Sequence, residues 1–368
     1  MFMESQDRFK RMLVPFDVEK IAVLRANGIG DLMFALPALA ALRKSYPNAE
    51  IVLLAKRWHA EFFKDRPGPV DRVIPIPTYP GVGALEHLSD DRPDLDEFFA
   101  AMVRERFDLA LQMHGGGRYS NPFVRRLGAR LTAGLRSPDA VALDRWIPYV
   151  YFQPEIIRYL ETVSLVGATP LGLEPKVEVT DRDVAESEAA VPPDGRPIVV
   201  LHPGATDGRR RWSPARFGAI GSALAEQGFR VVVSGSCEED HVIQGVLQNM
   251  GFPGEGMSRL SLGGLAGLLS RAKLVVSNDS GPLHLAHAVG AATVGIYWCG
   301  NVVTAGPITR MRHRPAISWR LNCPSCGRNM IEDNCDHHDS FVDDVSVAEV
   351  RDHCLDLLRG ALDTVLAD

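Results

Sequence analysis

The chain has 368 residues, 46% of them hydrophobic and 23% charged, with a formal net charge of −6. This length exceeds one ordinary core and sets two domains as the expectation, in a globular composition well able to bury them. The acidic balance argues against a nucleic-acid binder and gives no overall pull toward an anionic membrane.

The opening residues, MFMESQDRFKRML, lack the apolar core of a signal peptide. No run approaches the ~20 apolar residues of a membrane span, so a cytoplasmic location is expected. Short apolar runs at 20–25, 50–55, 70–76, 107–113 and 129–135 read as buried strands, separated by helical stretches at 31–46, 57–65, 94–106 and 119–128. After the first strand, Ala26-Asn27-Gly28-Ile29-Gly30-Asp31 falls at the carboxyl edge, where open α/β sheets place their ligands. Gly28 and Gly30 are expected to permit a tight turn and close approach of a substrate. Asp31 is placed to cap the next helix. Pro37 within that helix implies a late start or a kink. The Gly-rich stretch His114 to Asn121 is expected to face ligand, although such stretches are also common turns. Val124-Arg125-Arg126 is a local basic patch suited to phosphorylated or lipid-linked substrates. Residues 168–197 are rich in proline and charge and hold the domain boundary. Asp181-Arg182-Asp183 has a D-x-D metal pattern, but ahead of a helix it reads better as a cap.

The second half repeats the alternation, with strands at 197–202, 229–235, 273–278 and 293–298 and helices near 214–227, 238–249, 264–271 and 282–290. Such alternation implies right-handed βαβ units and parallel sheets. His202-Pro203-Gly204-Ala205-Thr206 and the following Asp207-Gly208-Arg209-Arg210-Arg211 offer Gly, Thr and guanidinium groups to a pyrophosphate. Ser213-Pro214 starts a helix. Glu239 lies in an acidic helix start, which the helix dipole alone explains. Asp279-Ser280-Gly281-Pro282 opens another helix whose N–H groups and dipole suit a phosphate, with His284 as a further donor in its first turn. Cys323, Cys326, Cys335 and His338 form a candidate structural zinc set, with reduced thiols or a disulfide as the alternatives. Cys237, Cys299 and Cys354 read as small core residues. Ser346 to Glu349 is a capping-box start for a last helix whose Val347, Val350, Cys354 and Leu357 share one face.

Three blocks, KIAVLRANGIGDLMFALPALAALRKSYPNAEIVLLAKRWHAEFF at 20–63, IVVLHPGATDGRRRWSPARFGAIGSALAEQGFRVVVSGSCEED at 198–240 and NDSGPLHLAHAVGAATVGIYW from Asn278, together resemble the heptosyltransferase family of glycosyltransferases, glycosyltransferase family 9. The resemblance implies a GT-B type α/β fold, two Rossmann-like domains with parallel sheets facing across a cleft. An acceptor-binding domain is expected at 1–170, a nucleotide-sugar-binding domain at 171–345 and a carboxyl-terminal helix at 346–368 packing on them. Asp31 matches the family's general base, Arg210 a basic residue that is usually Lys, and Glu239 an acid that meets the ribose. Gly204, Thr206, Arg210, Glu239, Asp279, Ser280, Gly281, Pro282 and His284 would then contact the donor, and Gly28, Gly30 and His114 the acceptor. The implied reaction is inverting, metal-independent transfer of a heptose-like sugar from a nucleoside-diphosphate sugar, ADP-heptose being suspected. Its acceptor would be a hydroxyl of a glycan or glycolipid resembling lipopolysaccharide core, with peripheral association at the inner membrane. A nucleoside-diphosphate-sugar epimerase of the same fold, or a non-catalytic sugar-nucleotide-binding protein, is the alternative.

Overall fold

The computed structural model describes residues 12–84 and 89–365. The segment 1–11, where no signal peptide is expected, and the final residues 366–368 lie outside them. Strands β1 (Lys20–Leu24) and β2 (Glu50–Ala55) are buried along nearly their whole length, the continuous apolar character that a strand covered on both faces requires. With β3 (Arg72–Pro75), β4 (Leu109–Gln112), β5 (Leu131–Arg136) and β6 (Arg145–Pro148) they form a parallel sheet ordered β3-β2-β1-β4-β5-β6. Val23 lies opposite Leu53 on one side and Leu111 on the other.

The second sheet repeats this plan. Strands β7 (Ile198–His202), β8 (Arg230–Ser234), β9 (Glu255–Met257), β10 (Ala272–Asn278), β11 (Thr293–Trp298) and β12 (His313–Ser318) take the order β9-β8-β7-β10-β11-β12. Val276 lies between Leu201 and Val294. The expected α/β class, with two parallel sheets, is what the chain adopts. In each sheet the order reverses beside its first strand, so the carboxyl ends of β1 and β4, and of β7 and β10, flank a crevice suited to ligands.

The chain divides after Pro175 into two compact units. The core of the first includes Leu24, Val52 and Leu54 with Phe99 and Phe123, whose rings meet edge to face at 5.0 Å. The second is built on Val199, Leu201, Trp212 and Phe217, and includes Val350, Cys354 and Leu357 of the helix Val347–Val365. Helix Ile29–Ser45 runs unbroken through Pro37, so a late start is ruled out. Pro37 removes one backbone donor from a helix that is buried on nearly every side from Leu32 to Leu39. Within the stretch 168–197 lies a helix, Asp181–Ala190. Asp183 N–H donates to Thr180 Oγ1 (3.3 Å) and Thr180 N–H to Asp183 Oδ2 (2.9 Å), so the D-x-D pattern is a cap. No helix among the described residues is long and apolar enough to cross a membrane.

Candidate active site

In the first unit Arg25 directly follows β1, a charged residue closing an apolar run, and its side chain is only 2% exposed. Burial demands partners, and it has several. Nη1 donates to the Met113 carbonyl (2.8 Å), Nε to the Asp31 carbonyl (3.2 Å) and Nη2 to Asp31 Oδ1 (2.6 Å). Glu155 stands 3.6 Å away, and the Tyr159 ring lies 4.8 Å beneath the guanidinium. The second carboxylate oxygen of Asp31 accepts the Gly28 N–H at 2.9 Å. Asp31 thus joins a helix start to a buried cation, yet its side chain remains 38% exposed, with lone pairs left for a substrate. Gly28 has φ −86°, and Gly30 lies inside the helix, so neither supplies a left-handed turn. What Gly28 supplies is space, since a Cβ there would meet Asp31 Oδ2 at 3.3 Å.

His114 is buried and braces the ends of β1 and β4, its Nδ1 accepting the Ala26 N–H at 3.3 Å. Burial, aided by Arg25, pulls it down to about 4, so the ring is neutral near pH 7. The stretch 114–121 is a turn running into a helix start, held by bonds within itself and to Val141. Ser120 Oγ donates to the His114 carbonyl (2.7 Å), and Asn121 Nδ2 donates to the Val141 carbonyl (2.8 Å). Gly117 has φ +97° and would place a Cβ 2.5 Å from the Asn121 amide, so this position needs glycine. Of the basic patch, Val124 is buried and Arg126 is committed to Asp96 (2.9 Å) and the Phe99 ring (3.9 Å).

In the second unit the loops after β7 and β10 are clasped by Asn278, which is fully buried. Its Nδ2 donates to the Pro203 carbonyl (2.7 Å) and its Oδ1 accepts the Trp212 N–H (3.0 Å). Next to it Asp279, also buried, gathers three groups: His284 Nε2 at 3.1 Å, Arg210 Nη1 at 3.1 Å and Asn301 Nδ2 at 2.8 Å. Burial acts to raise this carboxyl. The bond to His284, then Arg210 and Asn301, outweigh that and leave it below the ordinary carboxylate range. Asp279 is therefore an ionised anchor for its neighbours. The helix Gly281–Ala288 begins with Pro282 in its first turn and has no side-chain cap; Ser280 Oγ lies 3.2 Å from Ser277 Oγ. Behind His284 a polar line continues through the core, with His287 Nε2 at 2.8 Å from Thr293 Oγ1 and that hydroxyl at 2.9 Å from His313 Nδ1.

Glu239 accepts the Ser236 N–H (2.9 Å) and lies against Gly204, where an added Cβ would fall 2.2 Å from Glu239 Oε1. Thr206 is exposed and Arg210 half-buried. Arg209 is held by Asp207 (2.8 Å) and lies 5.2 Å from the Phe341 ring, while Arg211 Nε donates to the Ala205 carbonyl (2.9 Å). Gly204, Thr206 and Arg210 thus belong to one loop, and Asp279 ties it to Gly281 and His284. Sequence reasoning missed Arg25, Asn278 and Asn301. A polar residue closing a strand of otherwise apolar residues was the available signal for the first two; Asn301 had none.

Near the carboxyl end, Cys323, Cys326, Cys335 and His337 bring one ligand atom each to within 4.8 Å of one another. The histidine in this group is His337 and not His338. Backbone N–H groups of Cys326 and Ser325 draw the Cys323 thiol below its ordinary range. Cys299 and Cys354 are buried, whereas Cys237, expected in the core, is exposed because it lies in the turn after β8.

A family model described as Glycosyltransferase family 9 (heptosyltransferase) matches residues 97–330. The lipopolysaccharide heptosyltransferase 2 of Salmonella typhimurium is 26% identical over 302 residues, covering 76% of this chain and 82% of that protein. Among solved structures, a family 9 glycosyl transferase from Veillonella parvula is 17% identical with a TM-score of 0.74, over 94% of this chain and 99% of that one. The ADP-heptose lps heptosyltransferase II of E. coli is 19% identical with a TM-score of 0.72, over 93% and 99%.

Proposed function

Because the chain belongs to glycosyltransferase family 9 and is therefore a glycosyltransferase, we propose that it moves a heptose-like sugar, with inversion, from a nucleoside-diphosphate sugar to a hydroxyl of an acceptor resembling lipopolysaccharide core. The observation that carries this reading is the Asp279 anchor, which holds Arg210 and His284 beside the start of the helix Gly281–Ala288. A departing nucleoside diphosphate needs positive charge where its oxygen takes up the bonding electron pair. The Arg210 guanidinium has donors beyond the one given to Asp279, and the helix start adds backbone N–H groups and the positive end of its dipole. These groups supply the charge, so no metal is required at the reaction centre.

In the first unit Asp31 would take the proton of the acceptor hydroxyl. The oxygen then attacks the anomeric carbon from the face opposite the diphosphate, forming one glycosidic bond as the bond to phosphate breaks. The ion pair with Arg25 fixes where the Asp31 side chain stands, while part of it stays open to an acceptor. Asp31 precedes residues 97–330, so its role rests on this geometry and on the sequence block around it. Gly28 and Gly30 leave room for the acceptor, and His114 keeps the strand ends in place. The names of the relatives, a lipopolysaccharide heptosyltransferase and an ADP-heptose lps heptosyltransferase, support ADP-heptose as donor and lipopolysaccharide as acceptor.

Thermal shifts with ADP, UDP and GDP test the donor, since a ligand bound to the native state raises its stability with concentration. ADP is expected to give the largest shift, and incubation with ADP-heptose and a heptose-deficient core acceptor should yield product of inverted anomeric configuration by NMR. Equal shifts for all three nucleotides, or product with retained configuration, would overturn the respective part.

A further inference from the structure

The four-ligand group near the carboxyl end lies outside the machinery described above, yet it is bonded to it. Cys323 opens a tight knuckle in which its N–H donates to the Arg328 carbonyl and the Gly327 N–H returns to its own carbonyl, both at 2.9 Å. Gly327 adopts φ +73°, a conformation that glycine takes without strain. Cys323, Met330 and Phe341 form a small apolar cluster with Trp298 and Cys335 packed against it. The segment then passes directly under the arginine loop. Phe341 N–H donates to the Arg209 carbonyl and Ser340 Oγ to the Arg211 carbonyl, both at 2.7 Å. Trp298 Nε1 donates to the Arg320 carbonyl at 2.6 Å, tying the end of β11 to the same segment.

We propose that Cys323, Cys326, Cys335 and His337 bind one zinc ion and that this ion fixes the segment 320–341 on which the arginine loop 207–211 rests. Three thiolates and an imidazole make a closed tetrahedral set of the structural kind, with no open position for catalysis. Bonds of ~2.1–2.3 Å place tetrahedral ligand atoms roughly 3.5–4 Å apart, so a contraction of about an ångström closes the group. Cys326 and His337 are exposed, which gives the ion a path of entry. The small cluster around Cys323 buries little apolar surface, so a segment of this length needs a further crosslink to hold its shape. The ion is a positioning element and touches no substrate. Its effect on nucleotide binding rests on the donor-site reading above; its presence does not.

Full-length protein purified without chelator is expected to carry about one zinc per chain by elemental analysis. Cobalt(II) added to the metal-stripped chain should develop the intense visible absorption of a tetrahedral thiolate site. Cys326→Ser and His337→Ala should abolish stoichiometric binding, His337→Cys should restore it, and His338→Ala should leave it unchanged. Hydrogen exchange of residues 207–211 and 340–341 should accelerate at least several-fold on metal removal, with ADP affinity falling in step. Substoichiometric zinc, octahedral cobalt spectra, stoichiometric iron in place of zinc, or loss of metal in His338→Ala would overturn the site. Zinc present with exchange of 207–211 unaffected by its removal would overturn the positioning role. Should Arg210→Ala leave ADP affinity intact while zinc and exchange behave as described, the donor-site reading fails and the metal inference stands.

Discussion

Asp31→Asn separates the structural bonds of that residue from its proposed chemistry. The amide oxygen can still accept the Gly28 N–H, but Arg25 loses its closest charge and is left with Glu155 at 3.6 Å. A stability loss of about 1–2 kcal/mol is expected, kept small because Asp31 is partly solvated. Turnover should fall ~10²–10⁴-fold while ADP affinity holds. Near-normal turnover would leave Asp31 as a cap and ion-pair partner only. Asp279→Asn gives a test with opposed signs. If Asp279 merely repels the diphosphate, removing its charge should tighten ADP. If it anchors Arg210 and His284, ADP should bind more weakly, by roughly 1–3 kcal/mol, and calorimetry decides between them. The weaker binding is the expected outcome. Asp31, Arg210 and Asp279 were legible because each stands in a short motif after a strand. How they pair was not, because Arg25 meets Met113, and Arg210 meets Asp279, across separations that only the folded sheet closes.

At the level of elements, the loops after β7 and β8 are coupled through Gly204 and Glu239. Gly204→Ala forces the Glu239 carboxylate away from Ser236 and Arg211. A loss of nucleotide affinity of several-fold with little change in melting temperature is expected, since only a side-chain end must move; calorimetry beside a melting curve checks both. Unaltered affinity would show that Glu239 has no part in the donor site. The central strands were readable as unbroken apolar runs because helices cover both their faces. The edge strands β6 and β12 were not: RWIP and HRPAIS carry charges and proline, which an edge tolerates and a central strand does not. Cys335-Asp336-His337-His338 shows the same limit on a smaller scale. Spacing offers two adjacent histidines, and only the path of the chain after the knuckle selects His337.

For the molecule as a whole, buried histidines in both units set the response to acid. Burial holds His59 down to about 3, His114 and His202 down to about 4, and His287 well below its ordinary value. On unfolding, each returns to about 6.5 and takes up a proton more readily than it does in the folded state. The stability this represents is complete above pH ~6.5 and is lost as the pH falls toward 4, by up to about 1.4 kcal/mol per pH unit for each histidine. Urea midpoints are therefore expected to drop clearly between pH 7 and pH 5, and a flat midpoint over that range would contradict it. The order of the strands has a different kind of consequence. Every pairing in the two six-stranded sheets stays on its own side of Pro175. A chain recombined there with a relative's half would break no ladder, so each half can be exchanged as a unit whose sheet is already complete.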